Sequence, residues 1–154
     1  MTLHSVAGHR IGEDTEDLKG WLRDLEGCPT VTHTHVLVCA NDVHDEPATW
    51  FYVEADPAQG VVRRRCLACG LVAATLDSEE RWSHPHMWSC NSCGQSIAEV
   101  AAGIHAPSED PDSDAAGPVS WLAIGVRCVG CGTLAGVTDF VVRGEVYHEV
   151  ITAL

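Results

Sequence analysis

"RRRCLACG", residues 63–70, sets two cysteines three positions apart, with a glycine directly behind them and three arginines directly in front. The same local pattern returns as "CNSCG" at 90–94 and "CVGCG" at 128–132. Two thiolates share one metal when their sulfurs stand about 2.3 Å from it at tetrahedral angles; a tight turn between i and i+3 brings them there and aims backbone N–H groups at the sulfurs. Gly70, Gly94 and Gly132 follow the second cysteine of each pair, where a turn of this kind asks for a positive φ. Unrelated buried cysteines have no reason to repeat one i, i+3, Gly pattern three times. A thioredoxin-like redox pair needs its first cysteine at a helix N-terminus behind a strand. "LVAATL" after Cys69 and "TLAGVTDF" after Cys131 have strand composition instead, so only the Cys90–Cys93 pair leaves that reading open.

Paired Cys-x-x-Cys-Gly turns on β-hairpins resemble the knuckles of the zinc-ribbon and rubredoxin-like superfamily. The similarity covers roughly residues 61–98, and twenty residues separate Cys69 from Cys90, inside the range of a four-cysteine zinc site. The resemblance implies that Cys66, Cys69, Cys90 and Cys93 together hold one Zn²⁺. Rubredoxin-like proteins hold a single iron in such a ligand set, which does not by itself separate the two metals.

The third knuckle, Cys128 and Cys131, is left without a cysteine pair to complete its tetrahedron. In "HTHVLVC" the residues His33, His35 and Cys39 share parity, so one face of a strand would present all three. The expected second zinc site is Cys128, Cys131, Cys39 and one of His33 or His35, with Cys28 and His44 as nearby reserves. In "RWSHPHMW", 81–88, His84 and His86 flank a proline between two tryptophans; a loop packing its aromatics on the ribbon accounts for them better than a catalytic metal does.

Composition supports metal over disulfides. Eight cysteines in 154 residues fall short of a small disulfide scaffold, and the apolar share of 45% is that of a chain with a real core. At this length folding buries about 68–70% of the unfolded surface. The N-terminal "MTLHSVAGHRIGEDTEDLKG" has neither a basic region nor a continuous apolar run, and no stretch reaches membrane-spanning length. The expectation is a cytoplasmic protein with no membrane contact, where thiols stay reduced and available to metal. Net charge is −13, which opposes nucleic acid and anionic membrane at long range.

The fold expected is mainly β with one or two helices: zinc-ribbon hairpins, a small antiparallel sheet and an N-terminal amphipathic helix. In "DTEDLKGWLRDLE", 14–26, Leu18, Trp21, Leu22 and Leu25 form one apolar stripe behind an acidic first turn. "TVTHTHVLVCA", "TWFYVEA" and "GVVRRR" read as strands, the last two joined through "DPAQG". Ser96 and Glu99 have capping-box spacing, which predicts a short helix over 96–103. "HAPSEDPDSDAAGP", 105–118, has almost nothing to bury and reads as a mobile loop or linker. Beyond it, strand composition resumes with Arg143-Gly144 as a hairpin turn. These elements divide the chain into an N-terminal helix and strands (1–60), a zinc ribbon (61–105), an acidic linker or loop (106–118) and a C-terminal β-element with the third knuckle (119–154), packed on 28–60.

The functional reading placed first is a non-enzymatic zinc-binding module that engages another protein. Closed ligand sets leave a metal no open position, and no nucleophile triad or phosphate loop is present. Trp50, Phe51, Trp121 and Tyr147 are candidates for a contact surface as well as for the core. The second reading is a zinc ribbon contacting nucleic acid in transcription or RNA processing. Over 61–98, Arg63, Arg64, Arg65 and Arg81 meet Asp77, Glu79 and Glu80, and strand alternation turns Arg64 away from its neighbours. The third is a metal-dependent enzyme using the second site, with Asp42 or Glu46 as base. An open strand edge also gives a route to a homodimer. Because structural zinc contributes about 10–16 kcal/mol of apparent binding energy in small peptides, Cys90→Ser is expected to lower the melting temperature sharply. An unchanged melting curve at equal zinc content would remove Cys90 from the ligands.

Overall fold

A computed structural model describes residues 4–6, 9–25, 27–76 and 82–154. In chain order its elements are β1 (His4–Val6), β2 (His9–Ile11), α1 (Thr15–Arg23), β3 (His33–Val36), β4 (Phe51–Asp56), β5 (Val61–Cys66), β6 (Val72–Ala74), β7 (His86–Met87), β8 (Ile97–His105), β9 (Val119–Cys128), β10 (Leu134–Glu145) and α2 (Tyr147–Thr152). Among the described residues the chain is mainly β with two helices, as expected. β1 and β2 pair by themselves, and the other strands form one antiparallel sheet of order β10-β9-β8-β4-β5-β6, with β3 added to β8 and β7 to β4.

β3 and β4 lie end to end along one flank of β8. Phe51 and Tyr52 oppose Ala98 and Ile97 at its start, and His33 to Val36 oppose Ile104 to Ala101 near its end. β9 takes the whole of the other flank, from Ala98↔Cys128 to His105↔Trp121. The helix expected over 96–103 is therefore a strand, β8. Local capping-box spacing loses to ladder partners on both flanks, a gain available only through distant segments. The acidic segment 105–118 is the β8–β9 connection, closed where the Gly117 N–H donates to the Ala106 carbonyl at 3.1 Å.

Both faces of the central strands are covered, so β8 and β9 are buried almost continuously. On one face lies α1. Asp14 caps it, its Oδ1 accepting the Asp17 N–H at 2.9 Å, and Leu18 and Leu22 pack without exposure against Ala101 and Leu134. A Cβ on Gly125 of β9 would stand 2.9 Å from Leu22 Cδ2, so the bare backbone there lets the helix settle directly on the sheet. Leu25 falls past the last turn yet still touches this cluster, and Glu26 lies outside the described residues. The other face packs Phe51, Val53, Leu122 and Ile124 with Val150 of α2.

The C-terminal segment also departs from expectation. Arg143-Gly144 is not a hairpin turn: β10 runs through it, its register slipping between Val141 and Glu145, with Gly144 at φ +65°. Past the slip the chain turns helical instead of extended, which brings Val150 fully into the core. Residues 82–88 are held to the end of β4 by Asp56. Its carboxylate accepts the N–H groups of Ser83 and His84, and that of His84 above all keeps its pKa below the ordinary aspartate value.

Leu22→Ala is expected to remove about 2–5 kcal/mol of stability in chemical denaturation, the range for a buried leucine. Metal content per folded chain should not change, because the helix supplies no sulfur. Unaltered stability would contradict the seat described for α1.

Candidate metal centres

Three turns in the structure share one backbone design. In each, the N–H of the glycine donates to the carbonyl of the first cysteine: Gly70 to Cys66 at 2.9 Å, Gly94 to Cys90 at 2.8 Å, Gly132 to Cys128 at 2.9 Å. In each, the N–H of that first cysteine donates onward, to Leu71, Gln95 and Thr133. The three glycines stand at φ +77°, +77° and +80°, as the repeated sequence pattern demands. Backbone N–H groups converge on the sulfurs: those of Ser92 and Cys93 on Cys90, those of Gly130 and Cys131 on Cys128, that of Leu71 on Cys69 and that of Gln95 on Cys93.

Sheet register decides which turns meet. Cys66 at the end of β5 opposes Phe51 of β4, Phe51 opposes Ala98 of β8, and Ala98 opposes Cys128 of β9. All three turns therefore gather at one end of the sheet. The turn leading into β8 and the turn leaving β9 are neighbours, and they bring Cys90, Cys93, Cys128 and Cys131 together. Cys90 Sγ lies 3.5 Å from Cys131 Sγ, and Cys93 Sγ lies 3.5 Å from Cys128 Sγ. Two strands away, loop 37–50 enters β4 beside the end of β5, so Cys39 and His44 join Cys66 and Cys69. Here Cys39 Sγ is 3.6 Å from Cys69 Sγ, and His44 Nε2 is 3.6 Å from Cys66 Sγ. Within each group all four donor atoms lie within 4.8 Å of one another. Sulfurs about 2.3 Å from one tetrahedral metal stand about 3.8 Å apart, so both groups can hold a metal ion.

The structure thus groups the thiols differently from the expected ribbon. Cys66 and Cys69 do not meet Cys90 and Cys93, and Cys128 and Cys131 do not meet Cys39. His33 and His35 join neither group. His33 Nδ1 shares a hydrogen bond with Thr32 Oγ1 at 2.8 Å, and its ring stands 4.9 Å from that of Tyr147. His35 is half-buried on β3; burial first, then the charges of Arg64 and Lys19, hold its pKa below the usual histidine value. Shared parity would have held Cys39 beside them only on a continuous strand. β3 ends at Val36, and the Cys39 N–H turns to the Ala48 carbonyl at 2.9 Å. His44, held only in reserve by sequence reasoning, supplies the fourth donor; the Cys-x₄-His spacing from Cys39 was its signal. Cys28 is exposed and apart from both groups, and Asp42 and Glu46 are exposed on the loop that carries His44.

Crowded thiols divide into easy and difficult protons. The Leu71 N–H leads the influences that bring Cys69 down to about 6. Burial pushes Cys90 up, but the N–H groups of Cys93 and Ser92 and the Cys131 and Thr133 side chains outweigh it and bring Cys90 to about 6. Burial pushes Cys128 up to about 12 and raises Cys39. A bound dication removes that conflict by stabilising every thiolate at once. Thr133, itself buried, reaches Cys131 Sγ and Ser92 Oγ, both at 3.1 Å, and ties the two turns of the four-cysteine group together.

The basic stretch that opens the first turn is mostly committed internally. Arg63 pairs with Glu54 at 2.8 Å and lies 4.4 Å over the Trp82 ring, Arg64 is buried, and Arg65 is exposed. Asp77, Glu79, Glu80 and Arg81, the rest of the charges counted for that patch, lie outside the described residues. His84 and His86 are exposed and contribute to neither thiol group. No protein-family model, curated protein or solved structure matches the chain.

Gly70→Ala and Gly132→Ala separate backbone strain from crowding. A Cβ on Gly70 meets nothing within 4 Å, so the left-handed φ alone should cost about 1–2 kcal/mol. A Cβ on Gly132 would stand 2.5 Å from the Gly12 carbonyl oxygen, backbone that cannot swing aside. Denaturation at saturating metal should show the larger loss for Gly132→Ala; equal losses would contradict the close seat of residue 12 on the third turn.

Proposed function

We propose that this chain is a zinc-binding protein, non-enzymatic, whose two zinc sites fix one end of a sheet and present the surface around them to another protein. The observation that carries the reading is the pair of four-donor groups, each with its donors within 4.8 Å. Four protein ligands close the tetrahedral shell of a structural zinc, whereas a catalytic zinc keeps one position for water. Three sulfurs with one imidazole are a characteristic zinc set; four sulfurs suit zinc or iron. The three turns keep their resemblance to zinc-ribbon and rubredoxin-like knuckles, distributed here over two sites. Thiols held for metal suit a reducing compartment such as the cytoplasm.

Support for a protein partner comes from the surface beside the first site. Trp50, Leu67, Leu71 and Val72 are all exposed, on segments next to the Cys66–Gly70 turn and on the short edge strand β6. Exposed apolar side chains gathered in one region mark contact surfaces. Nucleic-acid contact has less support, since of the three adjacent arginines only Arg65 projects freely into solvent. Among the described residues no helix is long and apolar enough to cross a membrane.

Elemental analysis with native mass spectrometry tests the reading: two zinc ions per chain are expected. His44→Ala and Cys131→Ser should each lose one, from different sites. Because thiolates must be deprotonated to bind, zinc affinity should fall as pH drops below neutrality. A chain that carries no metal, or one ion lost equally in both variants, overturns two independent zinc sites.

A further inference from the structure

Strand alternation on β5 turns Arg63 and Arg65 outward and sends Arg64 inward beside the ligand Cys66; Arg64 is 4% exposed and Cys66 1%. An arginine in that position is costly. A buried guanidinium needs an opposite charge and partners for its five N–H donors. Arg64 Nη2 donates to the Val38 carbonyl, at 3.3 Å, and to the main-chain oxygen of Leu154, at 3.1 Å, and the guanidinium carbon lies 5.3 Å from the Phe51 ring centre. Its Nε and Nη1 are buried without a hydrogen-bond partner, and among the described residues no Asp or Glu side chain pairs with it. Two ionisable groups interact with it electrostatically: Cys39, a donor of the first site and the neighbour of the Val38 that Arg64 grips, and His35 of β3.

Charge arithmetic distinguishes the two sites. Three thiolates, a neutral imidazole and a dication sum to one negative charge, which one guanidinium cancels. Four thiolates and a dication leave two, and the arginine next to that site, Arg127, is already occupied by Glu99 at 3.0 Å and the Gly12 carbonyl at 2.7 Å.

We infer that Arg64 is the buried counter-charge of the Cys39, His44, Cys66 and Cys69 site, a positioning residue that favours the metal-loaded over the empty site. The inference rests on the zinc reading above. Metal loading sets an opposing charge beside a buried cation whose Nε and Nη1 have no partner, while the grip on Val38 sets where Cys39 enters the shell. The role belongs to this site alone.

The test uses the full chain loaded with cobalt(II), whose visible bands separate a three-sulfur, one-nitrogen site from a four-sulfur site. Chelator competition is then followed band by band in wild type, Arg64→Met and Arg64→Lys. Arg64→Met should weaken the first site by at least about tenfold, the scale of one nearby unit charge in a partly screened interior. The four-sulfur site should be unmoved, and it reports that the chain has folded. Arg64→Lys, which keeps the charge without the fork, should return the first site to within about threefold of wild type. If Arg64→Met yields no folded chain, Arg64→Gln is read by the same bands. Unchanged affinity in the neutral variant, equal weakening by lysine, or parallel loss at both sites overturns the proposal while leaving two metal sites standing. A wild-type chain that takes no cobalt overturns the zinc reading and this proposal with it.

Discussion

Cys66, Phe51, Ala98 and Cys128 oppose one another in a single row across β5, β4, β8 and β9. Because these strands are antiparallel, two of them end at that row and two begin there, so every Cys-x-x-Cys turn opens at the same end of the sheet. The turn at the close of β5 meets the loop feeding β4, and the turn feeding β8 meets the one leaving β9. Neither group of donors needs a dedicated scaffold: each is a by-product of strand register. A shift of one residue in the β8–β9 pairing would turn Cys128 to the opposite face and dissolve the four-cysteine group.

That dependence runs in both directions. The sheet has a full apolar core, with α1 on one face and Val150 of α2 on the other, so it does not face the predicament of a minimal zinc finger. At the turns themselves, however, Cys69, Cys93, Leu67 and Leu71 are all exposed. The segment before α1 links the helix to the turns: the Gly12 N–H donates to Gly132 in the third turn, and its carbonyl receives Arg127.

Much of this was legible in the sequence. The α1 stripe, the β4–β5 hairpin and the turning of Arg64 away from Arg63 and Arg65 follow from periodicity and turn composition, and the three knuckles follow from their repeat. What local pattern could not carry was partnership. Which turns share a site depends on ladder register between strands far apart in the chain, and twenty residues between Cys69 and Cys90 fit a ribbon equally well. The helix expected over 96–103 gives way to β8 for the same reason. Its alanines and Glu99 suit a helix, and only the strands on both flanks, with α1 above, make an extended chain the better solution. His33 and His35 were drawn towards metal by parity on a strand that stops at Val36, three residues short of Cys39.

A sheet bound at one end only has a preferred direction of opening. Strands β8 and β9 share the four-cysteine corner at Ala98 and Cys128, while their far ends, at His105 and Val119, pair up to His105↔Trp121 and run into the acidic connection. Fraying starts where cross-links are absent, so with a metal ion at that corner amide hydrogens near His105 and Trp121 would exchange before those near Val126 and Ala98. Without an ion the same crowded thiols would push apart, and the knuckle end would be the first to breathe.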